Sequence, residues 1–244
     1  MPGLTRGLVE AVRRAGSVAA LTGSGISAES GVPTFRDAQT GLWARYDPQQ
    51  LATPEAFARD PELVWKWYAW RRGLVEGANP NAGHGALARL ERSVPAFSLV
   101  TQNVDGLHQE AGSEKVIELH GNILRSRCSA ENVTVEAYET DHVPPLCPNC
   151  GAPLRPDVVW FGEALPAAGS RAASEAARSC DLFLSVGTSG FVYPAASLPY
   201  EALESGATVV EVNPEPTPLA PDAHFSLRGR AGEILPELVR AAFG

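Results

Sequence analysis

The 244-residue chain has only four cysteines, unevenly spaced, which excludes a secreted disulfide scaffold as the basis of its stability. It also lacks an excess of basic charge. Its 20 Lys and Arg stand against 28 Asp and Glu, for a net charge of −8 and a pI near 5.2. That balance argues against a broad nucleic-acid face and leaves room only for a local basic spot. No apolar run is long enough to cross a bilayer. The N-terminal stretch MPGLTRGLVEAVRRAG has no signal-peptide core followed by a cleavage site. Its Leu4, Leu8, Val9 and Val12, at helical spacing with arginines between them, predict a surface helix. Repeats and low-complexity segments are absent too. The expected compartment is therefore the cytosol, with neither membrane nor nucleic acid as partner; nothing in the sequence speaks to oligomeric state.

What is present is an ordinary globular composition, 44% hydrophobic and 20% charged. The length suits one sizeable domain or a large domain with a small appendage. Short apolar runs end in turns at 17–23, 96–103, 116–121, 181–189 and 208–214. Helix-like stretches lie between several of them, including 83–92, 168–179 and 195–205. Non-alternating strands interleaved with helices predict an α/β fold built on a parallel sheet. Residues 38–80, rich in Trp, Tyr and Pro, and residues 124–157, holding three of the four cysteines, break the rhythm. They are expected to form a smaller lobe, with a ligand cleft between the lobes.

The segment VAALTGSGISAESG reads as a strand, a glycine-rich turn and a helix. Gly23-x-Gly25-x-x-Ala28 fits a dinucleotide fingerprint, in which backbone N–H groups approach a pyrophosphate at a helix start; it equally fits a plain strand–helix turn. The acidic residue that a dehydrogenase carries about twenty residues on is missing, since that region is AQTGLWARYDP. Gly187-Thr188-Ser189 and the stretch holding Asn213 and Glu215 end two further strands. All of these turns fall where a parallel sheet binds ligands, and hydride transfer is not favoured.

Cys128-x-x-Glu131, fifteen residues, then Cys147-x-x-Cys150 has the spacing of a four-ligand zinc knuckle with glutamate in place of the second cysteine. Glu131 could complete the site, Asp141 or His142 could fold in, or the module could be metal-free. Cys180, ahead of an apolar strand, reads as a small buried hydrophobe. WKWYAWRR, residues 65–72, follows Asp60-Pro61, a good helix start, so Tyr68 and Arg71 share one helical face. Residue chemistry alone leaves it either a greasy helix with a basic edge or a pocket wall.

Seven segments, in one order over most of the chain, together resemble the sirtuin family of NAD-dependent protein deacylases. They are TGSGISAESGVPTFRD (22–37), TQNVDGLH (101–108), ELHGN (118–122), CPNCG (147–151), PDVVWFGE (156–163), VGTSG (186–190) and EVNPEP (211–216). The resemblance implies a discontinuous Rossmann-like NAD-binding domain of residues 1–37, 81–123 and 158–244. A helical module of 38–80 and a zinc-ribbon-like module of 124–157 would form the small domain. NAD would be consumed: the acyl oxygen of a modified lysine displaces nicotinamide at the ribose C1′, and the acyl group leaves on ADP-ribose. The implied partners are proteins or peptides carrying acylated lysine.

By the same resemblance His120 is the base on the ribose hydroxyls and Asn103 its catalytic companion. NAD contacts would come from Gly23, Ser24, Gly25, Ala28, Glu29, Pro33, Thr34, Phe35 and Arg36. Gln102, Asn103, Val104 and Asp105 would follow around the nicotinamide, and Gly187, Thr188, Ser189, Asn213, Pro214, Glu215 and Ala231 around the phosphates and adenosine. Phe35 and Arg36 fall in a loop that closes over NAD. Val159, Trp160, Phe161 and Gly162, with the stretch GFVYP, are expected to bracket the peptide as two strands. Cys128, Cys147 and Cys150 would hold a structural zinc. His84 and His108 match no catalytic position and read as structural.

Tyr68 and Arg71 resemble the Tyr-x-x-Arg pair of the desuccinylase and demalonylase branch (class III), and Ala52 fits the small residue that leaves room there for a longer acyl group. Arg72 is close enough in the helix to compete for Arg71's role. The expectation is an enzyme that removes succinyl and malonyl, and acetyl as well. The alternatives are an ADP-ribosyltransferase or a non-catalytic module that binds ADP-ribose or NAD.

Overall fold

The computed structural model describes residues 4–34 and 46–244. Helix α1 (Arg6–Arg14) opens on Thr5, whose hydroxyl accepts the Leu8 N–H, and it buries Leu8 and Val12 as the sequence spacing predicts. Strand β1 (Ser17–Thr22) then runs into a single helical turn, α2 (Ser24–Ser27). The helix expected after the glycine turn is therefore one turn long, continued only by a 3-10 turn at Ala28–Ser30.

Three helices follow the undescribed segment: α3 (Pro48–Leu51), α4 (Pro54–Arg59) and α5 (Pro61–Glu76). Helix α5 starts where Asp60-Pro61 predicts, with the Asp60 carboxylate accepting the Leu63 N–H at 2.9 Å. Its buried face is Val64, Trp67, Tyr68 and Val75. Trp67 is fully buried. A side chain of that size removes roughly 150–250 Å² from water, several kcal/mol of driving force at about 25 cal/mol per Å².

The chain then runs α6 (Ala82–Ser93), β2 (Ala96–Thr101), α7 (Leu107–Glu110) and β3 (Val116–Glu118). Next come β4 (Gly121–Cys128), β5 (Thr134–Val135) and β6 (Leu154–Val158). It ends in α8 (Ala167–Ser179), β7 (Leu182–Val186), α9 (Leu198–Glu204), β8 (Thr208–Asn213), β9 (Phe225–Arg228) and α10 (Ala231–Phe243).

Six strands form one parallel sheet in the order β3-β2-β1-β7-β8-β9. The order reverses direction between β1 and β7, and the carboxyl ends at such a switch point form the ligand crevice of an open α/β sheet. One face buries Leu8, Leu87, Leu99, Leu184 and Leu235 under α1, α6 and α10; the other buries Leu21, Phe183, Ala202 and Val209 under α8 and α9. A second, antiparallel sheet has the order β5-β4-β6. Beside it, Ala52, Phe57, Trp67, Tyr68, Ile123 and Trp160 form a separate core with α3, α4 and α5.

The two sheets meet at His120. Strand β3 ends at Glu118 and β4 begins at Gly121, so only Leu119 and His120 separate them. Gly121 takes φ 79°, and a Cβ there would lie 2.1 Å from Asp157 O, so glycine is required for the chain to leave one sheet and join the other.

Candidate active site

Two glycine turns lock together at the switch point. Gly25 N–H donates to Gly187 O at 2.8 Å and Gly23 N–H to Val186 O at 3.1 Å. A Cβ on Gly25 would stand 2.7 Å from Gly187 O, and one on Gly187, whose φ is 59°, would stand 2.5 Å from Ile26 N. These glycines serve a backbone-to-backbone approach of the loops after β1 and β7. The Gly23 and Gly25 N–H groups are thereby committed within the chain, to Val186 O and Gly187 O.

Gln102, just past β2, ties the site together. Its N–H donates to Thr22 O at 3.0 Å and its side-chain amide to Thr188 Oγ1 at 2.9 Å. Asn213, at the end of β8, donates to Thr188 O at 2.8 Å. The Gln102 carbonyl takes His120 Nδ1 at 2.9 Å. A carbonyl only accepts, so His120 carries its proton on Nδ1 and keeps a bare lone pair on Nε2. Burial lowers the His120 pKa, partly opposed by the bond to Gln102. The ring is thus held as a neutral base.

Behind it lies a buried polar network. Asn103 Nδ2 donates to Gly23 O at 3.1 Å and to Ser27 Oγ at 3.0 Å, which commits its amide hydrogens and leaves Oδ1 as the acceptor outside those bonds. Ser27 Oγ in turn donates to Asp105 Oδ2 at 2.7 Å, and Asp105 Oδ1 accepts the Leu107 N–H at 3.0 Å. Burial raises the Asp105 pKa, with these hydrogen bonds opposing it.

His84 and His108 sit under the same network, rings 4.8 Å apart and edge to face. His84 Nδ1 accepts the Asn81 N–H at 3.2 Å, so Nε2 holds the proton and points at Ser27 Oγ, 3.4 Å away. Thr22 donates its hydroxyl to Thr101, so it accepts from His108 Nε2 at 2.9 Å. His108 Nδ1 is buried with no partner among the described residues. Burial pushes His84 down to about 4; burial and then the neighbouring His84 push His108 down to about 3. Both are buried within the chain's own hydrogen-bond network. Their tie to Ser27 and Thr22 was not legible, because those residues meet only after folding.

Other expected contacts are scattered more widely. Glu29 accepts the Gly232 N–H at 2.9 Å, so its carboxylate fixes the start of α10 beside buried Ala231. Pro214 and Glu215 lie exposed beyond β8, and Pro33 beyond the 3-10 turn. Val104 O accepts the Ile123 N–H at 2.8 Å. Phe35 and Arg36 lie outside the described residues.

The peptide-bracketing stretches differ from expectation. Strand β6 stops at Val158, and neither 159–162 nor 191–194 is a strand. The N–H groups of Val159, Trp160 and Phe161 are committed to His120 O, Glu163 Oε2 and Ala52 O at 2.9, 2.8 and 2.9 Å. Trp160 is buried, whereas Phe161, Gly162, Phe191 and Tyr193 are exposed.

WKWYAWRR divides its labour. Trp67 and Tyr68 are core; Trp65 meets Tyr138 of the cysteine module edge-on at 6.4 Å. Tyr68 does not project freely from the helix, as expected of a pocket reader, but is buried with its hydroxyl bonded to Trp160 Nε1 at 3.0 Å. Burial pushes the Tyr68 pKa up to about 12, against the opposing charge of nearby Arg71. The phenol is therefore protonated at neutral pH. Arg71 stacks on Trp67, 5.1 Å from the ring centroid. Arg72 turns away, giving its Nε to Ile123 O at 2.8 Å and lying over Trp65.

The cysteines converge with Glu131. One ligand atom each from Cys128, Glu131, Cys147 and Cys150 lies within 4.8 Å of the others, and Glu131 N–H donates to Cys128 Sγ at 3.3 Å. Three thiols and a carboxylate at that spacing fit a tetrahedral zinc. Asp141 and His142, the alternative ligands, are an exposed pair 3.6 Å apart outside the cluster.

The Sir2 family pattern matches residues 23–194. The chain belongs to the Sir2 family. NAD-dependent protein deacylase 1 of Pseudomonas aeruginosa is 54% identical over 247 residues, 98% of this chain and 99% of that protein. NAD-dependent protein deacylase 2 of Pyrobaculum aerophilum is 58% identical over 219 residues, 89% of this chain and 88% of that one. A solved Sir2 homologue in complex with NAD matches this Sir2 chain at a TM-score of 0.91 and 48% identity, covering 98% of this chain and 94% of that one. A Sir2–p53 peptide–NAD+ complex matches at 0.86 and 32%, covering 96% and 97%.

Proposed function

We propose that this Sir2 protein is an NAD-dependent protein-lysine deacylase that prefers acyl groups ending in a carboxylate, succinyl and malonyl, and also removes acetyl. The observation that carries the chemistry is the fixed tautomer of His120, a neutral base with Nε2 bare, set among Gln102, Asn103, Asp105 and Thr188 at the sheet's switch point. The relatives named NAD-dependent protein deacylases support the same reading.

NAD, when bound, supplies an electrophilic ribose carbon with nicotinamide as its leaving group. The chain's residues do the rest. His120 Nε2 takes a proton from a ribose hydroxyl. Asn103 and Asp105 line the nicotinamide pocket, where Asn103 Oδ1, outside the chain's own bonds, accepts from the carboxamide. Thr188 and Asn213 hold the loops that face the phosphates and adenosine. Exposed Phe161 and Gly162 flank the lysine-bearing peptide. A zinc on Cys128, Glu131, Cys147 and Cys150 would be structural, closing the end of β4 onto the 147–150 knuckle.

The acyl preference rests on Tyr68 and Arg71, which share one face of α5 beside the small Ala52. An arginine fork and a protonated phenol bind a carboxylate far better than they bind a methyl. Arg72, bonded to β4, is not the competitor that helical spacing allows. The test is kcat/KM on succinyl-, malonyl- and acetyl-lysine peptides of one sequence. Arg71→Met is expected to lower desuccinylation by at least about tenfold, a loss of roughly 1.5–3 kcal/mol for a charged hydrogen bond, with deacetylation within about twofold. Equal loss on both peptides defeats the acidic-acyl reading.

A further inference from the structure

Tyr68 and Trp160 share a hydrogen bond whose direction is forced. The indole Nε1 of Trp160 can only donate, so at 3.0 Å the Tyr68 oxygen must be the acceptor. The phenol keeps its own hydrogen, and among the described residues no acceptor takes it. Both side chains are buried, so that hydrogen is not simply handed to bulk water.

Trp160 is itself held in place. The Arg155 guanidinium stacks on its ring, 3.3 Å from the centroid, and Phe57 packs against it at 5.3 Å. Arg155 is pinned by Glu163 through bonds of 2.5 and 2.9 Å and by Val158 O at 2.8 Å. The same Glu163 accepts the Trp160 backbone N–H at 2.8 Å. A phenylalanine at 160 would keep an aromatic ring there but, being smaller, leave a gap and offer no donor.

We propose that Trp160 is a specificity-determining positioning residue: its indole N–H occupies the acceptor side of the Tyr68 hydroxyl and turns the phenolic hydrogen toward the acyl end of the substrate lysine, where a terminal carboxylate accepts it. The inference rests on the reading that Tyr68 and Arg71 receive that carboxylate. Trp160 does not touch the acyl group; it acts through Tyr68. A hydroxyl that accepts one bond is also a stronger donor in the next, because linked hydrogen bonds polarise one another. An acetyl group has no carboxylate to receive that hydrogen and gains nothing from the arrangement.

The test compares wild type, Trp160→Phe, Tyr68→Phe, the double variant and Arg71→Met on succinyl- and acetyl-lysine peptides with saturating NAD. Trp160→Phe is expected to lower kcat/KM for the succinyl peptide about five- to tenfold, mainly through KM, and to leave the acetyl peptide within about twofold. In the Tyr68→Phe background the same change should have no further effect. Equal losses on both peptides, or the full succinyl loss persisting without the Tyr68 hydroxyl, overturn the proposal. If Trp160→Phe does not fold, replacing Trp160 by β-(3-benzothienyl)alanine removes the N–H at nearly unchanged shape and is held to the same outcomes. The Arg71→Met arm separates the two readings. Selective loss there with none from Trp160→Phe defeats the Trp160 role alone. No selectivity in wild type and none lost in Arg71→Met defeats the carboxylate reading and this role with it.

Discussion

His120 and Gln102 are joined by a 2.9 Å hydrogen bond that does two jobs. It fixes which imidazole nitrogen is bare, and it couples the ring to the residue whose side chain holds Thr188 and whose N–H extends the pairing with β1. The imidazole is therefore oriented by the parallel sheet, although it stands at the point where the chain leaves that sheet.

His120→Ala is expected to lower kcat/KM about 10²–10⁴-fold, the usual contribution of a positioned general base. In wild type the acid limb of kcat/KM should fall below pH 6.5, because burial lowers the His120 pKa and the base stays deprotonated to lower pH. A pH profile of initial rates checks this. An acid limb above 6.5, or an alanine variant near wild-type activity, removes His120 from the role.

The buried pair His84 and His108 makes a separate prediction about stability. Their folded pKa values, about 4 and about 3, lie below the unfolded value near 6.5. Between those limits the unfolded chain binds protons that the native chain refuses. Their contribution is whole above pH 6.5 and declines as pH falls, by up to about 1.4 kcal/mol per pH unit for each histidine, until the native sites protonate. Urea unfolding at pH 7.5, 6.0 and 5.0 should show a shallower decline for His84→Gln than for wild type. Parallel declines would show that His84 does not titrate in this way.

The cysteine cluster is tested by metal content. Gently purified protein should carry about one zinc per chain. Glu131→Ala should lose it to a chelator at least about tenfold more readily, in line with the cost of disturbing a metal site. Glu131→Cys should hold it more tightly. Wild type without stoichiometric zinc would leave Cys128, Cys147 and Cys150 as a packing cluster with no metal role.

Legibility followed the range of the interaction. Strands β1, β2, β7 and β8 were visible because each is a largely apolar run ended by a turn, and α5 because Asp60 and Pro61 are local start signals. Strand β9 has only four residues, and α10 carries Pro236 inside it, which reads as a break; neither stood out. The motif residues Gln102, Asn103, Asp105, His120 and Thr188 do converge. What the motifs did not convey is which of their polar atoms are already committed, as at Gly25, Glu29 and Trp160. The clamp of Arg155 and Glu163 on Trp160 had no sequence signal, since the three meet through the turn after β6.

Two neighbouring residues on α5 face different duties, and Arg72 determines how far the consequences reach. By gripping Ile123 O and Ser126 Oγ of β4 it rivets the helix to the antiparallel sheet. Tyr68, Trp160, Arg155 and Glu163 therefore pack with the antiparallel sheet, while Asn103 and Thr188 stand just past the ends of parallel strands β2 and β7. If Tyr68 and Arg71 read the acyl end as proposed, acyl preference can change on that helix while His120 keeps its bond to Gln102.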